Sequence, residues 1–488
     1  MIHRHKRFRT MIAKIALMAA FLGQAGLAVA DETASAKAVV EITNKKYNHD
    51  CFWGGPKGLE YGLLPDAQPI QQPALYPDQG STYFVGQFKL PPGASLTIRG
   101  DYPHERYFSF TVATQLGGGT LGGGDFLRDE EIQPDAGSVN PFVQTNSRDA
   151  TPRSYTLQIV QGSPPAPPAQ RPPNTVYTGS NNPEAPIHLA MRNYIADVGY
   201  DGTGNAELQQ VDRYGLPQVT LNLPDGKRLT GEMMCKAVRA SKDAEAKGYP
   251  IKLWEGLVAK SGDPVNAPAK PTPVFELFWN ADYSVTGQFE PDPVKREREH
   301  PANSDGGFAN NPDTRYLMAS FSLKFGPVYV IQGKMPAYPR TKDREKTWTP
   351  GTQVRYWSAC TGAAPPSGAG WDCVYDEMVP VDENGGYTLV VSKPEDRPRN
   401  AKEACGVKWI DFGKGEGEYP GARPWVNVVY MRFMDSNQDW KQSPAHVLPP
   451  SPTNPYPQDA YIMQEYFPAA HYETKAQYES HGCPDPIR

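Results

Sequence analysis

The chain has 488 residues, of which 50 are proline and 45 are glycine, and its formal net charge is −5. Proline and glycine at this density interrupt helices, whereas an aromatic content of 11% is that of a folded chain rather than a disordered one. The acidic balance argues against nucleic acid or an anionic membrane as a partner. This composition predicts a mainly β protein with long loops rich in proline and glycine.

Residues 1–30 have the pattern of a secretory signal peptide. A basic segment precedes an apolar run from Ile15 to Leu27, and Ala28-Val29-Ala30 supplies a small-x-small cleavage site. The run is shorter than the roughly 20 apolar residues that a membrane span needs. We therefore expect no transmembrane segment, and export to the periplasm or beyond after cleavage near Ala30.

The first half of the mature chain alternates strand-like runs with turn residues. The stretch from Thr230 to about Lys247 predicts a helix, and Ile251–Ala259 predicts a second, shorter one. Residues 261–273 are rich in proline, alanine and lysine and predict an inter-domain linker. The predicted strands are Thr82–Lys89, Ser95–Ile98, Tyr107–Ala113, Arg153–Val160, Val176–Gly179, Ile187–Ile195 and Gln218–Leu223.

The second half repeats this β-rich pattern. Its predicted strands are Tyr316–Phe325, Pro327–Lys334, Gln353–Ser358, Val374–Pro380, Tyr387–Ser392, Val407–Ile410 and Asn427–Phe433. We predict two β-sandwich, jelly-roll-like domains at 31–260 and 274–488, with one or two helices near the junction.

An Arg-Tyr pair followed by a bulky apolar residue occurs three times, at Arg106-Tyr107, Arg315-Tyr316 and Arg355-Tyr356. Tandem duplication and chance similarity among β-rich segments both explain the recurrence. If the segments mark strands, we expect the three tyrosines to be buried on sheets and the arginines to pair with carboxylates.

Six cysteines lie beyond residue 30, and an even number in an exported chain predicts disulfides. The closely spaced Cys360 and Cys373 favour one bridge. Cys51 with Cys235 and Cys405 with Cys483 are weaker pairings among the 15 that six cysteines allow. The chain has no CxxC, HxH or HExxH pattern, so we predict neither a metal site nor a cofactor.

Six stretches carry a resemblance to known proteins: Tyr102–Phe110, Gly137–Phe142, Arg153–Thr156, Pro173–Tyr177, Arg355–Cys360 and Ser392–Pro398. They resemble a family of uncharacterised secreted bacterial proteins with two β-rich halves. More loosely, the chain is similar to paired jelly-roll domains of unknown function. The resemblance implies a fold and an exported location, but it carries no activity and no catalytic residues.

The chemistry that the residues suggest is binding rather than catalysis. Aromatic rings on a sandwich face can stack on sugars or other apolar ligands, and arginines can hold an acidic ligand. We expect a small molecule or glycan to be bound without catalysis. The candidate ligand-binding residues are Trp357, Arg355, Tyr375, Arg397, His104 and Arg106.

Two other functions remain open at this point. An extracellular hydrolase or lyase would use acidic residues, for which Asp376-Glu377 and Asp129-Glu130-Glu131 are candidates. A structural protein of the cell envelope would need neither a ligand nor a catalytic pair. No residue is assigned a catalytic role.

Overall fold

A computed structural model describes residues 52–57, 76, 78, 80–115, 121–166, 170–200, 204, 215–239, 249–303, 313–341 and 345–483. The predicted signal peptide and Cys51 lie outside these residues.

The first sandwich contains two five-stranded sheets, in the orders β1-β2-β8-β4-β5 and β10-β9-β3-β6-β7. Neighbouring strands are antiparallel except β6 and β7, which are parallel. Alternation along the strands sends one row of side chains, such as Leu96 and Ile98, into a shared core. The strands are β1 (Gly54–Lys57), β2 (Ser81–Phe88), β3 (Ser95–Asp101), β4 (Glu105–Gln115), β5 (Leu121–Arg128), β6 (Ser154–Val160), β7 (Thr175–Tyr177), β8 (Ile187–Ala196), β9 (Gln218–Asn222) and β10 (Arg228–Leu229).

The second sandwich contains sheets in the orders β11-β12-β18-β14-β15 and β17-β16-β13-β19. Here β16 and β17 are the parallel pair. Its core includes Leu317, Ile331, Trp357 and Met431. The strands are β11 (Glu276–Leu277), β12 (Thr314–Ser322), β13 (Val328–Lys334), β14 (Tyr356–Gly362), β15 (Gly370–Tyr375), β16 (Gly386–Ser392), β17 (Val407–Asp411), β18 (Val426–Met434) and β19 (Ala469–Glu473).

The two sandwiches share one topology. The order β11-β12-β18-β14-β15 repeats β1-β2-β8-β4-β5, and β17-β16-β13-β19 repeats β7-β6-β3-β9 with its parallel pair in the same place. The predicted mainly β, two-part sandwich fold is confirmed. The shared strand order favours tandem duplication for the segments of Arg106-Tyr107 and Arg355-Tyr356, because β4 and β14 hold the same place in the two sheets.

Helices are short in the described residues. Met234 and Val238 of α1 pack into the core of the first sandwich, and this helix ends at Val238, after which Arg239 forms a β-bridge with Phe88. Residues 240–247 of the predicted helix lie outside the described residues. The α-helices are α1 (Gly231–Val238), α2 (Ile251–Lys260), α3 (Pro293–Glu299), α4 (Asp459–Met463) and α5 (Lys475–Ser480). Asp282–Thr286 forms a π-helical turn; the 3-10 turns are Asp129–Glu131, Gly287–Phe289, Asp376–Met378, Pro394–Asp396, Glu403–Cys405, Pro444–His446 and Gln464–Tyr466.

Side chains near the predicted domain limits pack across them. Trp254 of α2 lies against Phe278 and donates from Nε1 to Glu416 Oε1 at 3.0 Å, so this helix contacts the second sandwich. Pro264 lies within the predicted linker, and its carbonyl accepts a hydrogen bond from Arg423 of the second sandwich at 3.0 Å. In the other direction, Trp348 lies in the core of the first sandwich. The limits at 260 and 274 stay predictions.

Two disulfides lie wholly within the second half, joining Cys360 to Cys373 and Cys405 to Cys483. Cys235 is also disulfide-bonded. Across the part of the chain that the structure describes, no helix has the length and apolar character needed to cross a membrane.

Candidate functional site

The Arg-Tyr segment of the first sandwich reaches across to the second. Arg106, at the start of β4, donates from Nη1 to both carboxylate oxygens of Asp376 at 2.6 and 2.7 Å. Its Nη2 bonds Glu377, and its Nε donates to Thr341 Oγ1 at 2.9 Å. The side chains of Arg106 and Asp376 are fully buried, so this ion pair is shielded from water.

The Arg-Tyr segment of the second sandwich makes the reciprocal contact. Arg355 places Nη1 3.5 Å from Asp129 Oδ2 and Nη2 3.5 Å from Glu130 Oε2. It also donates to the backbone carbonyl of Arg106 at 3.2 Å. We call the set Arg106, Asp376, Glu377, Arg355, Asp129 and Glu130 the interface network.

Matching turns position the two aspartates. Asp129 and Asp376 each begin a 3-10 turn directly after the strand that pairs with β4 or β14. Asp129 Oδ2 accepts from the Phe108 amide at 3.0 Å, and Asp376 Oδ2 accepts from the Trp357 amide at 3.0 Å. Each turn therefore holds its carboxylate where an arginine from the other sandwich meets it.

A second set of contacts joins the sandwiches beside the network. Asp78, which precedes β2, accepts from Tyr356 Oη at 2.7 Å, Ser358 Oγ at 2.6 Å and Arg432 Nη1 at 2.7 Å. Asp313, which precedes β12, accepts from the hydroxyl of Tyr107. Each sandwich thus inserts an aspartate against the Arg-Tyr strand of the other.

Burial dominates the electrostatics of this interface. It raises the pKa of Asp129 to about 8, although the positive charge of Arg355 acts in the opposite direction. Burial also raises the pKa of Asp376 against the lowering effect of Arg106, and it raises the pKa of Asp313 to about 6. Burial therefore favours the protonated form of all three carboxyl groups.

The structure separates the predicted ligand-binding residues. Arg106 and Arg355 lie in the interface network, and the half-buried Tyr375 lies beside it, with its ring 6.2 Å from that of Tyr356. Trp357 is fully buried in the core of the second sandwich, so its ring offers no face to a sugar in this conformation.

His104 and Arg397 lie elsewhere. The His104 ring stacks on Tyr200 at 4.3 Å and lies within 3.0 Å of Arg153 Nη1. Arg397 covers the Trp409 ring at 4.5 Å and donates to the carbonyl of Ala401 at 3.0 Å. The six predicted residues therefore do not line one cleft, and their ligand-binding role stays a prediction.

The three recurring tyrosines differ in how deeply they are buried. Tyr107 and Tyr356 have no exposed surface, as predicted, whereas Tyr316 is only half-buried. Tyr316 lies opposite Arg432 on the neighbouring strand, just as Tyr83 lies opposite Arg192. The segment around Tyr316 thus corresponds to β2, and the true counterparts are Arg106-Tyr107 and Arg355-Tyr356.

A pocket that the sequence did not indicate lies on the outer face of the second sandwich. It has a cavity volume of about 80 Å³, enough for several water molecules. We call it the outer pocket. Its lining includes Lys270, Glu276, Phe278, Ser284, Arg296 and Met318.

Charged groups lie at one side of the outer pocket. Arg296 of α3 contacts Glu276 at 2.7 Å and stacks on the Tyr283 ring at 3.9 Å, which fixes its guanidinium. Lys270 is exposed, whereas Phe278 is buried and Met318 half-buried. The pocket combines an apolar floor with both signs of charge.

One group of potential metal ligands occurs among the described residues, comprising Asp78, Cys360 and Cys373. The two sulfurs are joined to each other, and the carboxylate of Asp78 accepts from Arg432, Tyr356 and Ser358. These bonds leave the group without free ligand atoms for a cation.

Comparison with known proteins gives similarity in structure only. No family model matches the chain, and no curated protein gives a significant match. The chain is similar to an uncharacterised protein from Burkholderia cenocepacia at 12% identity and a TM-score of 0.41, covering 92% of this chain and 89% of that one. It is also similar to a protein from Vibrio parahaemolyticus at 11% identity and a TM-score of 0.35, covering 85% and 94%.

Proposed function

We propose that this chain is an exported protein that binds a small polar molecule or a glycan unit in the outer pocket, without catalysis. The observation that carries the proposal is the pairing of Lys270, Glu276 and Arg296 with the apolar floor formed by Phe278 and Met318. Binding sites for small molecules combine apolar walls with a few placed polar groups in this way.

The arrangement suits a ligand with one apolar face and several hydrogen-bonding groups. A sugar ring or a similar compound would lay its C–H face on Phe278 and Met318. Its hydroxyl or acidic groups would meet Lys270 and Arg296, and Glu276 would accept a hydroxyl hydrogen. Because Arg296 is already fixed by Glu276 and Tyr283, little side-chain entropy is lost when the ligand binds.

The alternative of a hydrolase or lyase receives less support. The candidate pair Asp376-Glu377 is bound by Arg106, and Asp129 is fully buried beside Arg355. A glycosidase needs two carboxyl groups that face a shared, accessible substrate. These carboxylates instead join the two sandwiches.

Export is part of the proposal. The basic and apolar pattern of residues 1–30 supports a signal peptide, and the disulfides are compatible with an oxidising compartment. The signal peptide, cleavage near Ala30 and the final compartment remain to be tested by N-terminal sequencing of the mature protein from cell fractions.

The binding proposal is tested by thermal shift with a library of mono- and oligosaccharides and small organic acids. A ligand at about 100 times its dissociation constant should stabilise the protein by about 2.7 kcal/mol. Ser320→Leu, which fills the pocket, and Lys270→Gln should both reduce the shift.

Matched controls are available at positions that do not line the pocket. Gln332→Leu adds the same side chain at an exposed strand position, and Lys260→Gln removes an exposed lysine from α2. Binding that these controls weaken as much as the pocket variants would contradict the proposed site. Turnover of a bound compound would instead favour an enzyme, and tight association with isolated envelope without any soluble ligand would favour a structural role.

A further inference from the structure

The two disulfides that lie within the second half differ in their exposure to solvent. Cys360 and Cys373 are both buried, with 0% and 1% of their surface exposed. Cys405 is buried as well, but its partner Cys483 is exposed. Thiol–disulfide exchange begins when a thiolate reaches one sulfur of the bond. Of these two bridges, the one between Cys405 and Cys483 therefore offers a residue at the surface of the folded chain.

Cys483 ends a segment that packs on the outer face of the sheet β17-β16-β13-β19. We call residues 474–483 the C-terminal strap, which contains α5 (Lys475–Ser480). Tyr478 of α5 is buried in an apolar cluster on this face, which we call the outer cluster. Its other buried members are Val328, Val330, Val390, Ala401, Cys405 and Val407. The disulfide thus joins the strap to the cluster that it covers.

The alternation of side chains along β13 places the outer cluster on this face. Tyr329 and Ile331 enter the core between the two sheets, whereas Val328 and Val330 belong to the outer cluster. All four residues are buried. A strand with apolar residues in both rows needs a cover on each side, and on the outer side that cover includes the strap.

The first sandwich is polar at the equivalent place. Its β3 corresponds to β13, and the outward row of β3 contains Ser95, Thr97 and Arg99, which are half-buried or exposed. On this face Thr97 Oγ1 donates to Gln158 Oε1 of β6 at 3.1 Å. The strap of the second sandwich therefore covers an apolar surface that the shared fold does not itself require.

The other anchors of the strap are hydrogen bonds and surface ion pairs. Asn400 donates from Nδ2 to the carbonyls of Tyr478 and Gly482 at 3.0 and 2.8 Å. Arg399 contacts Glu479 at 3.1 Å, but its side chain is 83% exposed, so water screens the pair. A helix of 6 residues is not stable by itself, and the strap therefore depends on its disulfide.

We propose that the disulfide between Cys405 and Cys483 is a site of thiol–disulfide exchange for dithiol reductants, and that its reduction releases the strap from the outer cluster. One thiolate of the dithiol attacks Sγ of Cys483, the bond between the two cysteine sulfurs breaks, and Cys405 leaves as a thiolate that takes up a proton. The second thiol of the reductant then closes a disulfide with the first and displaces Cys483, which takes up its proton. The protein gains two thiols, and the reductant leaves as a disulfide.

The first test is timed reduction of the folded, oxidised protein with dithiothreitol, followed by alkylation and peptide mass spectrometry. Each cysteine is measured separately, so the bridge between Cys360 and Cys373 is a control in the same sample. We expect Cys405 and Cys483 to be alkylated at least about tenfold faster, because a bond sealed inside the fold reacts only after local unfolding. Equal rates for the two bridges would overturn the proposed exchange site.

Release of the strap has its own readout. After selective reduction, hydrogen exchange of the strap amides should be at least about tenfold faster, and an apolar dye should bind the uncovered outer cluster. Cys483→Ser should bind the dye without any reductant. Val330→Thr in that background, which copies the polar row of β3, should reduce dye binding.

Circular dichroism checks that the sandwiches stay folded in each sample. Unchanged hydrogen exchange and dye binding after reduction of this bridge would overturn the release of the strap. The result does not depend on the ligand proposed for the outer pocket, because no residue of the strap lines that pocket.

Discussion

The two sandwiches dock through matched contacts that differ in closeness. On one side, Arg106 holds Asp376 with two hydrogen bonds of 2.6 and 2.7 Å. On the matched side, the nearest atoms of Arg355 and Asp129 are 3.5 Å apart. The strand order, the 3-10 turns and the amide bonds to the aspartates are the same, so the difference lies in the side chains that complete each contact.

The neighbouring contacts show the same asymmetry. Asp78 accepts from an arginine, a tyrosine and a serine of the second sandwich, while Asp313 accepts from Tyr107. Backbone geometry is nevertheless repeated, since Ile195 and Asp435 both adopt φ near +50° and donate to the carbonyls of Gly80 and Asp313. The repeated backbone geometry keeps the same pattern of contacts between the two sandwiches. Asp78, which packs against the second sandwich, accepts hydrogen bonds from three of its side chains, whereas Asp313 accepts one from Tyr107 of the first.

Removing the tighter ion pair should have the largest effect. Arg106→Ala leaves Asp376 buried without its arginine, and we expect unfolding stability to fall by about 4 kcal/mol. Arg355→Ala should cost about 2 kcal/mol, because Arg355 lies 3.5 Å from Asp129 and from Glu130, whereas Arg106 holds Asp376 at 2.6 and 2.7 Å. Urea denaturation at pH 7 measures both losses.

Two further variants sharpen this comparison. Asp376→Ala should lose much less stability in the Arg106→Ala background than alone, because the two residues act as one pair. Equal losses of unfolding free energy for Arg106→Ala and Arg355→Ala would show that the difference in contact distance does not affect stability.

Trp348 links the halves through apolar packing rather than charge. It lies in the core of the first sandwich, donates from Nε1 to the carbonyl of Pro141 at 2.8 Å, and is covered by Arg355 at 4.6 Å. Trp348→Ala should reduce stability by about 3 kcal/mol. Thermal unfolding should show one shifted transition; a separate early transition confined to the second sandwich would contradict this role.

Local patterns predicted the strands well because alternation is a property of neighbouring residues. The predicted Thr82–Lys89 and Gln218–Leu223 coincide with β2 (Ser81–Phe88) and β9 (Gln218–Asn222) within about one residue. Helix α1 ends at Val238 because Arg239 pairs with Phe88 in a β-bridge, a contact that the local apolar pattern does not show. Helix propensity alone does not locate the end of a helix, because tertiary contacts can end it.

The interface could be predicted only in part. The recurrence of Arg-Tyr marked Arg106 and Arg355, yet their partners lie 270 and 226 residues away and were interpreted as hydrolase candidates. A usable signal is present, because Asp129-Glu130 and Asp376-Glu377 follow Arg106 and Arg355 at nearly the same distance, whereas no acidic pair follows Arg315 there. The outer pocket had no such signal, since Lys270, Arg296 and Met318 meet only in the folded chain.

Asp313 should make stability depend on pH. Its pKa is raised to about 6 by burial, so the folded state keeps a proton that the unfolded state releases near pH 4. This contribution to stability is fully present below pH 4 and is lost as the pH rises through 6. Between pH 4 and pH 7 the wild-type protein should therefore lose about 2 kcal/mol relative to Asp313→Asn. Parallel stability curves for the two proteins would rule out this titration.

The smallest effects should come from the two hydroxyl groups that meet the inserted aspartates. Tyr356→Phe removes a donor to Asp78 and should cost about 1.5 kcal/mol, within the usual value for a hydrogen bond to a charged group. Tyr107→Phe should cost about 1 kcal/mol at pH 7 and less at pH 5, because the hydrogen bond from the hydroxyl stabilises a protonated Asp313 less than an ionised one.

The hydroxyl of Tyr107 lowers the pKa of Asp313, so the same variant should move the pH-dependent loss of stability to higher pH. Because both substitutions keep the ring, a pH effect seen for Tyr107→Phe but absent for Tyr356→Phe would locate the titrating group at Asp313. An equal pH effect in both variants would place it elsewhere in the interface.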